Sequence, residues 1–394
     1  MQILISGFGC VCSLGDNAQE ITKNLFEQNI EPSYPIGRLD SSYAPQYPVF
    51  SVSQNVLSQK KNDESFSYLF LRKSLNEALE QAELNAKDLQ TVRVGACIGT
   101  SVDASFNCFD FYKSWRKGEN KDLKPLDRTL AYSISEQALK DLGLKGISQT
   151  IVTACASGTD AIGIGAQWIE NDICDIVFAG GADELNLIPF VGFIKLMIAS
   201  KEPCKPFDKN RNGINLGEGA GIVILESEKF AKKRKAKQAG IVLGYGSACD
   251  GYHATSPHPD GRGLRKAAAS LGDISRLSFI NAHATASIDN DTVEAKVFDD
   301  LFPNIPISAT KSLTGHALGA AGAIEACLTL ISLNNGIMPK TKNFKTKDER
   351  INMMPTIENI KFDGSKAAIS TSLSFGGCNS VLMLGGASCH STIF

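Results

Sequence analysis

Histidine is scarce in this chain, with five among 394 residues. Neither the histidines nor the eleven cysteines fall into a Cys-x-x-Cys pair or a zinc-like spacing, which argues against a metal site. An odd cysteine count in so long a chain also argues against a disulfide framework and points to a reducing, cytoplasmic setting. There is no basic excess: the net charge is −2 and the pI about 6.3, so nucleic acid and anionic membranes are not expected partners. No apolar run approaches the roughly 20 residues that span a bilayer. Met1–Gly7 is apolar but has no cationic leader, so neither membrane insertion nor export is expected. Low complexity is absent too, since 43% hydrophobic and 21% charged residues suit a globular chain with a substantial core.

What is present is concentrated in three short stretches. Thr153-Ala154-Cys155-Ala156-Ser157-Gly158 places one cysteine between a strand-like run, Gln149–Val152, and a small-residue helix expected from about Ala156 to Glu170. A thiol at a helix N-terminus meets unpaired N–H groups and the positive end of the macrodipole, which predicts a lowered pKa and a poised nucleophile. Taken alone, such a cysteine reads more simply as a buried packing residue. Two of the five histidines change that balance by also closing strand-like runs, His283 in Phe279–Thr285 and His316 in Ala309–Gly322.

Short apolar runs alternate with helix-length segments, the pattern of an α/β chain with a largely buried sheet. Strands are predicted at residues 2–6, 92–98, 149–153, 175–180, 220–226, 241–247, 277–281, 305–309, 367–371 and 380–384. Helices are predicted at 65–83, 129–142, 156–170, 263–271, 291–301 and 319–334. Gln149–Glu170 and Ile305–Leu333 share an order of strand, reactive loop and Gly/Ala-rich helix, and Ile3–Gly9 is similar to Ile241–Gly246. The chain thus reads as an internal duplication, residues 1–240 carrying the cysteine and 241–394 the two histidines, with the site where loops of the halves meet.

These stretches resemble the β-ketoacyl-acyl-carrier-protein synthases of the thiolase superfamily, in the elongating I/II type with one cysteine and two histidines. The resemblance covers nearly the whole chain and includes Lys205–Gly213, Gly217–Gly221 and Ser374–Asn379 in the family's order. It implies a thiolase-like duplicated α/β fold in five layers, αβαβα, with central mixed sheets. It implies that Cys155 takes an acyl chain from a carrier protein as a thioester, after which a malonyl thioester loses carbon dioxide. His283 and His316, as neutral imidazoles donating N–H, would hold the enolate, and Lys311 nearby would depress their pKa values.

By the same resemblance Glu325 pairs with Lys311, a solvated helix position being the alternative. The N–H groups of Cys155 and Phe375 would form an oxyanion hole, Gly376 permitting close backbone approach. The Phe375 ring would gate the acyl pocket or, more plainly, fill the core. Thr285 and Ser287 stand two residues apart, on one face of an extended segment, and suit a pantetheine arm; helix capping is the alternative. Lys201, Lys205, Lys209 and Arg211 are the expected docking residues for an acidic carrier protein. The denser basic run Lys229–Lys237 reads as a solvated helix face. The Gly217–Gly221 glycines lead into a strand and not a helix, so they form no phosphate loop. No dissociable cofactor or metal is required. The expected partners are a carrier protein with its phosphopantetheine arm and a second subunit, identical or related, in a dimer.

Departures from the family pattern carry information as well. Ala284 stands where glycine is common, Thr371-Ser372-Leu373-Ser374 replaces Asn-Ser-Phe-Gly, and Cys378 stands for threonine. Loss of the glycine at 374 argues against the usual gating motion of Phe375. Gly99–Trp115 carries Phe106, Phe109, Phe111, Tyr112 and Trp115 and is expected near the acyl pocket or a dimer contact. An aromatic wall suits a flat unsaturated chain, although ordinary packing explains it too. Two activities therefore stand side by side. One is elongation in fatty acid synthesis, and the other is a ketosynthase of a specialised type II polyketide or polyene pathway, paired with a chain-length-setting subunit. A non-catalytic companion would lack the nucleophile, and a purely decarboxylating starter would carry glutamine there; Cys155 argues against both.

Overall fold

The computed structural model describes residues 2–61, 64–103, 109–119, 123, 126, 133–364 and 366–389. Phe106 and the start of the helix predicted at 129–142 lie outside the described residues. All ten predicted strands are found: β1 (Ile3–Val11), β2 (Val94–Gly99), β3 (Gly146–Ile151), β4 (Ile176–Asp183), β5 (Gly219–Glu226), β6 (Gly240–Cys249), β7 (Leu277–Asn281), β8 (Ile307–Ser308), β11 (Ala367–Leu373) and β12 (Cys378–Gly386). A separate ribbon, β9 (Ile337–Met338) with β10 (Ile360–Lys361), was not legible, being two residues per strand. β1, β4 and β5 are buried along their whole length, which is why they read as continuous apolar and small-residue runs without alternation.

The ten strands form one sheet in the order β3-β2-β4-β5-β1-β6-β12-β11-β7-β8. Outward from the central β1–β6 pair, each side runs through two antiparallel pairings and then two parallel ones. This mirrored order is what a duplicated unit produces. The main helices are α1 (Ala18–Glu27), α2 (Phe66–Gln81), α3 (Ile134–Asp141), α4 (Ser157–Glu170), α5 (Leu187–Lys195), α6 (Arg262–Ala268), α7 (Ile288–Leu301) and α8 (Ala321–Asn335). Sequence periodicity did not reveal α1, which buries only Ile21 and Leu25, or α5, which is apolar nearly all round.

α2 covers β1, β4 and β5 and α3 covers β2 and β3 on one outer face, while α6 covers β6 and β12 on the other. Between the half-sheets, α4 and α8 touch each other and strands of both sides. The result is five layers with two buried helices at the centre. They cross through small residues, since a Cβ on Gly158 would lie 2.8 Å from the Ala323 nitrogen and the Gly319 oxygen. A Cβ on Gly322 would overlap the Thr159 hydroxyl. Gly322→Val should therefore destabilise the chain by about 1–3 kcal/mol or more, read as a lower urea midpoint at unchanged slope. An unshifted midpoint would show that the crossing can open without cost.

Each central helix is entered through a 3-10 turn, Ala154–Ala156 before α4 and Leu318–Ala320 before α8. Ala154 and Leu318 take nearly the same left-handed φ, 51° and 52°. The two turns touch, so the cysteine loop and the second histidine loop arrive at one place. Among the described residues no helix is long and apolar enough to cross a membrane.

Candidate active site

Cys155, His283, His316 and Phe375 line one cavity of about 330 Å³, with Thr285 and Ser287 on its wall. Cys155 lies inside the 3-10 turn that leads into α4 and is buried. Ser157 locks this turn: its hydroxyl accepts from the Thr153 N–H at 2.9 Å and donates to the Ala154 carbonyl at 2.6 Å.

The acidic thiol expected from the helix start is not found. Burial pushes Cys155 up to about 11, outweighing the Lys311 charge and the N–H groups of Phe375 and of Cys155 itself, which act the other way. Withdrawing the sulfur from water costs a thiolate more than these donors return. Alkylation by iodoacetamide should consequently climb about tenfold per pH unit from about pH 7 to 10, since only the thiolate reacts. A rate already level at neutral pH would mean the sulfur is ionised at rest.

His283 ends the β7 segment, and its ring is fixed by one cation. Lys311 Nζ lies 3.1 Å from His283 Nδ1 and 2.5 Å from Glu325 Oε1. An ammonium can only donate, so Nδ1 accepts and the neutral ring carries its proton on Nε2. Burial pushes both histidines well below 6.5; Lys311 adds to this at each, and His316 adds further at His283. The two rings meet edge to face with centroids 5.3 Å apart. Burial raises the Glu325 carboxyl against the opposing pull of Lys311.

Backbone contacts hold His316. Its N–H donates to the Asn215 carbonyl at 2.8 Å, and its carbonyl accepts from the Gly217 N–H at 3.0 Å. A Cβ on Gly217 would overlap the Thr314 carbonyl, so the Gly217–Gly221 glycines serve close packing beside the site. Phe375 turns its N–H toward the Cys155 sulfur and packs its ring edge-on against Phe193, 5.6 Å between centroids. The sharp turn beyond it rests on Gly376 and Gly377, at φ 82° and 83°. Ser374, by contrast, is extended at φ −129°, and both its N–H and its hydroxyl donate to the Cys378 carbonyl. The serine therefore strains nothing at rest and ties the two ends of the loop together.

Thr285 and Ser287 hydroxyls lie 3.0 Å apart on the cavity wall. Ser287 occupies the N-cap position of α7 yet makes no side-chain capping bond, which leaves its hydroxyl facing the pocket. Several residues that organise the site were not found from sequence. The Glu294 carboxylate accepts from the N–H groups of His283 and Ala284, at 3.0 and 2.6 Å, and from the Thr371 hydroxyl at 2.8 Å. It thereby holds Ala284 at a left-handed φ of 38°, a conformation that explains why glycine suits this position. Asp183 does the same for the other loop, accepting from Thr100, Ser101 and Gly319. The only sequence signal for Glu294 is an acid set among apolar helix neighbours, Val293, Ala295 and Val297.

The predicted docking set divides. Lys201 is exposed over the Tyr47 ring, Lys209 is half exposed beside Glu349, and Lys205 pairs with Glu202. Arg211 does not belong with them: its side chain is fully buried, 2.5 Å from Asp348 and 3.8 Å from Asp291. It is a structural ion pair, inaccessible to any partner. Of the aromatic segment, none of Phe109, Phe111, Tyr112 or Trp115 lines the cavity, and Tyr112 and Trp115 are exposed. Among the described residues no cluster of three metal-ligating side chains occurs.

Comparison with known proteins agrees with this arrangement. The family described as Beta-ketoacyl synthase, N-terminal domain, matches residues 1–231, and its C-terminal domain counterpart matches residues 239–345. A 3-oxoacyl-[acyl-carrier-protein] synthase 2 of Synechocystis sp. is 30% identical over 405 aligned residues, covering 97% of each chain. Among solved structures, the ishigamide ketosynthase/chain length factor superposes with a TM-score of 0.88 at 28% identity, covering 98% of this chain and 99% of that one. A type II PKS ketosynthase, solved bound to the hexaketide in complex with its acyl-carrier protein, superposes with a TM-score of 0.87 at 25% identity and the same coverage. Matched in both halves and along nearly its full length, with its cysteine and two histidines gathered at the crossing of the two central helices, the chain belongs to the β-ketoacyl synthase family.

Proposed function

We propose that this chain elongates acyl thioesters by decarboxylative Claisen condensation with a malonyl carrier protein, as in fatty acid synthesis. The observation that carries the reading is a neutral His283, its tautomer set by Lys311, facing His316 in the cavity that also holds Cys155. In the first step the Cys155 sulfur attacks the incoming thioester, and the carbonyl oxygen takes hydrogen bonds from the N–H groups of Cys155 and Phe375. The C–S bond to pantetheine breaks and the thiol proton departs on the pantetheine sulfur. In the second step the malonyl carboxylate leaves as carbon dioxide, and its bonding electrons form an enolate stabilised by His283 Nε2–H and by His316. The enolate carbon attacks the Cys155 thioester, forms the new C–C bond and releases the Cys155 sulfur, which regains a proton from water.

Thr285 and Ser287 are assigned to the pantetheine amides, and Lys201, Lys205 and Lys209 to an acidic carrier surface whose hold weakens with salt. A dimer, with itself or with a related subunit, and a cytoplasmic location complete the proposal. A second reading, a ketosynthase of a specialised type II polyketide or polyene pathway with a chain-length-setting partner, is favoured by the two fold neighbours above. Mass spectrometry of the group trapped on Cys155 after exposure to a mixed panel of acyl carriers separates the two. Saturated acyl adducts support elongation in fatty acid synthesis, and unsaturated or polyketide adducts alone support the second reading. No adduct on Cys155 would sink both.

A further inference from the structure

β6 and β12 pair antiparallel, and at one end of the ladder Cys249 stands directly opposite Cys378. The flanking bond from the Asp250 N–H to the Gly377 carbonyl, 2.7 Å, makes this a non-hydrogen-bonded pair. In such pairs facing Cα atoms lie about 4.5 Å apart and the side chains share one face. A disulfide needs Cα atoms about 4.4–6.8 Å apart. The two thiols are close enough to raise the Cys378 pKa, after the larger effect of burial. Cys249 is exposed and Cys378 partly buried, whereas the other described cysteines are all buried. Both sit at the base of the Phe375–Gly377 turn, and the Cys249 thiol donates to the Gly376 carbonyl at 3.5 Å.

We propose that Cys249 and Cys378 form a reversible cross-strand disulfide under a peroxide or a low-molecular-weight disulfide, and that this bond fixes the base of the loop carrying Phe375. With peroxide, the Cys249 sulfur breaks the O–O bond and becomes a sulfenic acid, releasing one water. The Cys378 sulfur then attacks the sulfenic sulfur, the S–S bond forms and a second water leaves. Two electrons pass from the two thiols to one peroxide. A reducing thiol reverses the bond by exchange, as suits a transient bond in a reducing compartment. Oxidation also removes the S–H that Cys249 gives to Gly376, so the turn beside the cavity changes its restraints. The consequence for acyl entry rests on the proposed function; the bond itself does not.

The test is equilibration of the full chain with oxidised glutathione, alkylation of remaining thiols, digestion and mass spectrometry. A peptide pair joined through Cys249 and Cys378, lost on reduction and absent from Cys249→Ser and Cys378→Ser, is the expected result. Complete alkylation of both thiols, or linkage of either to another cysteine, would overturn the bond. Acyl loading of Cys155 from a carrier protein should then be slower in the oxidised chain than in the reduced one, and equal in oxidised and reduced Cys249→Ser. Equal loading despite the linked peptide would overturn the effect on the loop. Absence of loading in the reduced chain would count against the proposed function alone, because the linked peptide is read without any turnover.

Discussion

Cys155→Ala will abolish condensation, with a loss on the order of 10⁶ in turnover, the scale on which removing a catalytic nucleophile acts elsewhere. No other described thiol lies on the cavity wall, so nothing can take over the acyl chain. The same variant should still release carbon dioxide from malonyl carrier protein, because in the proposed mechanism decarboxylation draws on the two imidazoles and not on the sulfur. Measuring ketoacyl product and carbon dioxide in parallel reads both steps at once. Product formed by the alanine variant at the parent rate would remove Cys155 from the reaction.

The histidine variants should show the converse. His283→Ala and His316→Ala should each keep acyl loading of Cys155, seen as an unchanged adduct mass, while carbon dioxide release falls by about 10²–10³, the usual cost of removing one preorganised donor. Lys311 explains why the donors are ready before substrate arrives. It occupies His283 Nδ1 and thereby leaves the proton on Nε2, and burial together with the Lys311 charge disfavours a second proton. Both histidines titrate well below 6.5, so the neutral donors persist down to and below that pH, and the decarboxylation rate should not fall on their account above about pH 6.5. Stability follows the same sign. The unfolded chain takes up protons at these positions below about pH 6.5 while the folded one resists, so their contribution is full above that pH and is lost as the pH falls toward the folded pKa values. Condensation surviving in either alanine variant would end the assignment of that ring.

Much of this was legible before any fold was known. The alternation of strand-length and helix-length segments located every strand of the large sheet, because most of them are buried runs of apolar and small residues bounded by turn residues, β3 at the sheet edge being the largely exposed one. Cys155 and His283 were legible because each follows the end of a strand, whereas His316, expected to close a strand, follows a short helical turn, Lys311–Thr314, that comes after β8. The partnership of Lys311 with Glu325 came from family resemblance, and the structure brings the two to 2.5 Å. Arg211 was misjudged for a specific reason. Sequence shows that a residue is charged but not whether Asp348 and Asp291 close over it, and here they do. Asp183 and Phe193 escaped because each acts on a loop far away in the chain, Asp183 through backbone N–H groups and Phe193 through a ring contact. Glu294 escaped because it accepts from backbone N–H groups ten and eleven residues upstream, which leave no residue-type signature.

The order of elements, the three loops that carry chemistry and the family to which they belong could be read from the residues alone, since these depend on local pattern and on residue types at fixed spacing. The protonation states, by contrast, depend on how the folded segments bury one another. Helix position alone predicts an acidic Cys155, but the packing of α4 against α8 and of the Phe375 turn above it excludes water, and desolvation outweighs the local donors. The same exclusion keeps His283 and His316 neutral beside a buried cation. Burial is set by segments far apart in the chain, and a pKa follows burial more strongly than it follows the neighbouring residues in sequence.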